Sequence, residues 1–128
     1  MVFIPPKKKN PETIIQNEVR QLLRMDGWYV IRHQQGLGCH KGLSDLSAIK
    51  NGITIYIEIK TPRGVQSDYQ KEFQADIERY GAKYILCRKA EDIIPYLDHK
   101  PQQLFKSGHF WKLQFASFQK LDFLTFTN

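Results

Sequence analysis

Two cysteines in 128 residues, Cys39 and Cys87, are too few and too far apart to staple a fold, and neither belongs to a CxxC pair. A disulfide framework and a zinc finger are set aside, and a reducing compartment is expected. No apolar run approaches the roughly 20 residues that a membrane-spanning helix needs. The start, "MVFIPPKKKN", places its charges after its short apolar stretch, the reverse of a secretory signal. A cytoplasmic protein without a membrane partner is the expectation. Acid is also scarce: 13 Asp and Glu against 19 Lys and Arg leave a net charge of +6. That surplus suits a polyanionic partner, or serves solubility alone. No internal repeat is visible, and the four histidines, His33, His40, His99 and His109, have no ligand spacing.

What is present is an ordinary globular balance, 41% hydrophobic and 25% charged, in a chain long enough for one core. "NPETIIQNEVRQLLRMDGW" predicts a first helix, with Asn10 as N-cap, Pro11 at the first helical position and Gly27 past the end. Ile14, Ile15, Val19, Leu22 and Leu23 form its apolar stripe, which Glu18 interrupts. "WYVIRH" predicts a strand and "QQGLGCHKG" a glycine-rich loop. A hairpin follows, with strands over 45–50 and 53–60 turning at Asn51-Gly52. Ile53, Ile55, Ile57 and Ile59 share one face of it; Thr54, Tyr56, Glu58 and Lys60 share the other.

A second helix is predicted over 68–80, capped by Ser67 with Gln70 placed for a capping box, and with Tyr69, Phe73, Ile77 and Tyr80 as its apolar face. "KYILC" predicts the next strand, parallel to 53–60 through a right-handed crossover, and "EDIIPYL" a short helix. The order αβββαβ implies an α/β domain with a mixed sheet flanked by helices. Residues 1–10 read as a basic arm, 11–100 as the core and 101–128 as an aromatic-rich extension. The extension fits a strand at Trp111, Leu113 and Phe115, and equally a helix at Trp111, Phe115 and Phe118. Its aromatics must be covered, by the core or by a second subunit.

Counting outward from Asn51-Gly52, Asp45 lands opposite Glu58. Facing residues in a hairpin have Cβ atoms roughly 4.5–5.5 Å apart, so two carboxylates there repel. A hard divalent cation removes the conflict, because Mg²⁺ is held by one or two carboxylates, waters and phosphate oxygens. Lys60, two residues beyond Glu58, points the same way and stands near developing negative charge. Taken singly, each of these residues is equally a solvated strand position; their coincidence on one face in a basic chain favours a site. Glu18 fits an edge residue as well as a functional acid, and Gln70 fits a helix cap.

Asp45, twelve intervening residues and Glu58-Ile59-Lys60 together resemble the core of the PD-(D/E)xK nucleases. The run "KGLSDLSAIKNGITIYIEIKTPRGVQSDYQKEF" is similar in particular to the small stand-alone VRR-NUC proteins, matching at Gly42, Asp45, Glu58, Lys60, Gly64, Ser67 and Gln70. The likeness spans roughly residues 12 to 94, and it departs at Ser44, where many relatives have Pro. It implies a restriction-endonuclease-like fold in which Asp45, Glu58 and the main-chain carbonyl of Ile59 hold Mg²⁺, with Mn²⁺ able to substitute. Lys60 would position or activate the water, Glu18 would act as the first-helix acid, and Gln70 as a polar neighbour of the site. A water of lowered pKa would attack the phosphodiester in line, leaving a 5′-phosphate and a 3′-hydroxyl.

The resemblance further implies a structure-selective endonuclease on branched DNA, such as four-way (Holliday) junctions, working as a homodimer because two symmetric cuts need two related sites. Arg32, Lys41 and Arg63 are the expected backbone contacts, with Lys7, Lys8 and Lys9 either a phosphate-gripping arm or a solvated terminus. A nicking or restriction-like enzyme on ordinary duplex is the rival, and a DNA-binding module without catalysis a third reading.

Overall fold

A computed structural model of the chain describes residues 2–99, so the readings of 101–128 and of His109 lie outside the described residues. Helix α1 runs over Pro11–Met25, and the Asn10 side chain accepts the Glu12 N–H as its N-cap. Its end is a Schellman closure: Trp28 N–H donates to the Leu23 carbonyl and Gly27 N–H to that of Arg24. Gly27 can close the helix this way because its φ is +91°, a conformation that costs a side chain. Strands β1 (Tyr29–Arg32), β2 (Leu46–Lys50) and β3 (Ile53–Ile59) follow, then helix α2 (Asp68–Arg79), β4 (Lys83–Cys87) and a 3₁₀ helix over Ala90–Tyr96.

The four strands form one sheet in the order β1-β2-β3-β4, antiparallel except for the β3–β4 pair, which is parallel. The αβββαβ order is therefore present as expected. The hairpin turns at Asn51 and Gly52, both with positive φ (51° and 77°), the twist that a two-residue turn requires. Lys50 pairs with Ile53 and Leu46 with Ile57, so the register is the one counted from the sequence.

One face of the sheet carries Leu46, Ala48, Ile55, Ile57 and Ile59, which pack with Val19, Leu22 and Leu23 of α1 and with Ala90 and Ile93 of the 3₁₀ helix. The opposite face carries Tyr56, whose ring meets Phe73 of α2 edge-on at 5.7 Å, and Phe73 in turn meets Tyr84 at 6.2 Å. The apolar face of α2 is narrower than the spacing suggests: Phe73 is buried, but Tyr69 and Tyr80 lie exposed. Ile14 and Ile53 are exposed as well, each at the end of its run. The segment "EDIIPYL" belongs to a 3₁₀ helix with Pro95 inside it, since Pro lacks the N–H that an α-helix needs.

Below α1, Asp26 ties the end of the described chain to the core. Its carboxylate accepts from Trp28 Nε1 at 2.9 Å, from the Asp98 and His99 N–H groups at 2.8 and 2.7 Å, and pairs with Lys50 at 3.5 Å. Burial acts to raise its pKa, but the His99 and Asp98 N–H groups, then the Trp28 and His99 side chains, outweigh this and hold it below the ordinary carboxylate value. Its stabilisation is therefore complete above its unfolded pKa and is lost as pH falls through the lower folded value. Asp26→Ala is expected to cost roughly 2–4 kcal/mol at neutral pH, because five donors lose a buried acceptor. Urea unfolding at pH 7 and near pH 3 checks this: the gap between wild type and variant should narrow in acid.

Candidate active site

Pairing of Leu46 with Ile57 puts Asp45 one step beyond, beside Glu58. Glu58 is 2% exposed, enclosed between the sheet and the first turn of α2. Asp45 is half-buried, and its Oδ2 accepts the Ile59 N–H at 2.8 Å, which fixes the carboxylate against β3. Gln35 reaches its Oδ1 at 3.4 Å. Glu58 Oε1 accepts from Gln70 Nε2 at 3.0 Å and lies 3.9 Å from Lys60 Nζ. Among the described residues, Glu58 Oε2 is buried without a hydrogen-bond donor.

Gln70 caps α2 and contacts Glu58 at once. Its Oε1 accepts the Ser67 N–H at 2.9 Å while Ser67 Oγ accepts the Gln70 N–H, the capping box of α2. With the oxygen pinned there, the amide nitrogen is turned toward Glu58. The cap of the helix thereby orients the site.

Burial, and next to it the neighbouring Asp45 charge, raise the Glu58 pKa to about 8, against which the Lys60 charge pulls weakly. Neutral Glu58 can donate its proton to Asp45; once both are ionised, Oε2 faces like charge with no donor. A divalent cation fits that position, since it supplies the charge the two oxygens lack. Among the described residues, no group of three or more His, Cys, Asp or Glu converges on a metal position. The site thus brings together Asp45, Glu58, Lys60 and Gln70, and leaves Glu18 half-buried on α1 outside any such cluster.

Several supporting groups carry no sequence signal. His33, set aside as a ligand, buttresses the Asp45 segment: Nδ1 donates to the Ser44 carbonyl at 2.8 Å and Nε2 meets Ser47 Oγ at 2.9 Å. The His33 N–H also donates to the Asp45 carbonyl at 2.8 Å. Ser44, the departure from the family pattern, is fully buried and donates its hydroxyl to the Leu46 carbonyl. Arg88 Nη1 donates to the carbonyls of Thr61 and Gly64 at 2.9 and 2.6 Å, clasping the loop directly after Lys60. At Gly42, a Cβ would stand 2.0 Å from the Tyr69 carbonyl oxygen, so only glycine lets the Asp45 loop meet the first turn of α2. These contacts pair across long sequence separations, which periodicity does not reveal.

Beside Asp45 a groove of about 600 Å³ opens, lined by Gln16 of α1 and by Arg32, His33, Gln34 and Gln35. Of the expected DNA contacts, Arg32 borders this groove. Lys41 is exposed with Nζ 5.0 Å from the Tyr69 ring centre, and Arg63 and Lys7, Lys8 and Lys9 are exposed without such a position.

The sheet order, the parallel β3–β4 pair and the flanking helices define an α/β fold of the restriction-endonuclease-like kind. It is similar to a solved structure described as "VRR_NUC domain", which superposes with a TM-score of 0.59 at 17% identity over 66% of this chain and 95% of that one. At that identity the likeness is one of fold, and at that level it bears out the VRR-NUC resemblance. No protein-family model matches the sequence, and no curated protein matches it either.

A carboxyl with a raised folded pKa stabilises fully below its unfolded value and loses that contribution as pH rises through the folded one. Without divalent cations, the protein should therefore lose stability between about pH 4.5 and 8. Glu58→Gln, which keeps the hydrogen-bonding shape but cannot ionise, is expected to melt higher at pH 8 by the equivalent of roughly 2–4 kcal/mol. Added Mg²⁺ should raise the melting temperature of the wild type and leave Glu58→Gln nearly unmoved. Thermal melts across pH, with and without Mg²⁺, decide it.

Proposed function

We propose that this protein is a metal-dependent endonuclease that hydrolyses phosphodiester bonds in DNA, with branched DNA as its preferred substrate and a homodimer as its working form. The observation that carries the reading is the buried Glu58 with an unpartnered Oε2 beside Asp45, 3.9 Å from Lys60. Asp45, Glu58 and the Ile59 carbonyl would hold Mg²⁺ or Mn²⁺, which when bound supplies Lewis acidity toward a phosphate oxygen and a water.

Around that centre the chain's own groups have defined tasks. Lys60 positions the attacking water and offsets the charge that grows on phosphorus. Gln70 keeps Glu58 Oε1 in place, and the Ile59 N–H keeps Asp45 from rotating away. Glu18 is assigned a supporting acid role reached through water. In-line attack breaks the bond from phosphorus to the 3′ oxygen, giving a 5′-phosphate and a 3′-hydroxyl. Arg32 at the groove, with Lys41 and Arg63 and the Lys7, Lys8 and Lys9 arm, would hold the backbone without reading sequence.

Cleavage of labelled linear, flap and four-way DNA with Mg²⁺ or Mn²⁺ is the test. Asp45→Ala, Glu58→Ala and Lys60→Ala are each expected to lower the rate by about 10²–10³-fold or more. Full activity in these variants would remove the assigned site. A preference for linear duplex would remove the branched-DNA specificity, and a monomer by size measurement would remove the homodimer.

Arg88→Ala, which frees the Thr61–Gly64 loop while leaving the carboxylates untouched, should cut the rate about tenfold with a stability loss of about 1–2 kcal/mol. Single-turnover rates beside urea unfolding separate these two effects.

A further inference from the structure

On α1, Gln16, Arg20 and Arg24 recur every fourth residue and so form one stripe, with neighbouring Cβ atoms roughly 5–6 Å apart. Gln16 lines the groove beside Asp45, and Arg32 lines the same groove from the end of β1. Arg20 stands one helical turn beyond Gln16 and feels both other arginines: burial first, then the charges of Arg24 and Arg32, hold its pKa below the ordinary guanidinium value. Its Nε is buried without a hydrogen-bond partner. Among the described residues, no carboxylate pairs with Arg20, Arg24 or Arg32.

Three guanidiniums in reach of Arg20's charge, with no acid paired to them among the described residues, cost the fold energy through repulsion and, at Arg20, through a stranded donor. The helix dipole accounts for Arg24 alone, in the last turn of α1, and offers nothing to Arg20 or Arg32. A chain of phosphates resolves all three, because guanidinium groups grip phosphate oxygens with paired N–H donors. The stripe is also directional, since it begins at the groove that holds Asp45 and leads away along α1.

We propose that Arg20, Arg24 and Arg32 form a phosphate clamp that carries one strand of the substrate DNA along α1 into the Asp45 groove. This rests on the nuclease reading and adds the path of the backbone. The strand enters along α1 and the β1 edge, and the C-terminal end of α2 and the start of β4, at Arg79 and Lys83, stay free of it.

The test uses the full chain and a labelled four-way DNA with Ca²⁺ in place of Mg²⁺, measuring affinity against salt, followed by cleavage with Mg²⁺. Arg20→Ala/Arg24→Ala is expected to weaken binding about tenfold at physiological salt and to reduce the salt slope by about 1.8, two contacts' worth. KM should rise about as much, with kcat within about twofold. Arg79→Ala/Lys83→Ala removes the same charge from the α2 end and β4, and should leave binding unchanged. Arg24→Glu, on an exposed position, gives the same reading should the loss of Arg20 harm folding. Arg24→Lys should recover most of the slope.

An unchanged slope in the Arg24 variants, or an equal loss in the far-side pair, overturns the clamp while leaving the nuclease reading intact. Wild-type protein that neither binds nor cuts DNA would instead overturn the nuclease reading, and the clamp with it.

Discussion

Glu58 is buried almost completely, faces Asp45, and has one oxygen that no donor reaches. The arrangement is costly for a fold without a ligand, since a desolvated carboxylate beside another cannot ionise freely. Much of the surrounding structure holds it in place. The hairpin fixes which residue faces Glu58, the α2 cap fixes Gln70 against one of its oxygens, and the Ile59 N–H fixes Asp45. Slipping the register by one residue would turn Glu58 into the α1 layer, among Val19, Leu22 and Leu23, where nothing could satisfy it. The constraint that forms the site is therefore also a constraint on the fold.

The two faces of β3 divide the labour. Ile55, Ile57 and Ile59 anchor the strand against α1 and the 3₁₀ helix, and that apolar packing supplies the stability. Tyr56, Glu58 and Lys60 occupy the other face, where the Tyr56, Phe73 and Tyr84 rings pack edge-on beneath α2. Tyr84 shares the consequence: burial first, and then the Glu58 charge, push its phenol well above the ordinary value, so it stays neutral beside the site.

Much of this was legible in the sequence because it rests on local rules. Asn51-Gly52 can only turn one way, alternation assigns the isoleucines, and the caps at Asn10 and Ser67 mark both helices. From those rules the Asp45–Glu58 confrontation follows by counting. The exposure of Tyr69 and Tyr80 did not follow, because helical spacing shows which residues share a face but not how wide a face the sheet covers. His33, Arg88 and Asp26 were illegible for a different reason. Each acts by hydrogen-bonding backbone groups far away in sequence, and such partners leave no pattern in residue types. Gln70 lay in between: the cap followed from local spacing, and only the resemblance placed it near the site, because the spacing does not show that the cap aims its amide at Glu58.

The charges follow the same division between local and distant. A net surplus of basic residues says only that a polyanion is welcome, whereas placement says where it lies. Most of the cations have a structural partner or sit alone: Lys50 with Asp26 and Asp98, Arg79 with Asp76, Lys83 over the Tyr96 ring, Arg88 on carbonyls. Arg20, Arg24 and Arg32 are instead within electrostatic range of one another without an acid among the described residues, and Arg32 lines the groove that Asp45 borders. Repulsion among them is the counterpart of repulsion between Asp45 and Glu58. The acids call for a cation and the arginines for an anion, and a metal-bearing phosphodiester satisfies both at adjacent positions. A ligand that brings both charges would therefore relieve two internal conflicts in one binding event, and its affinity would be tied to the assembly of the site.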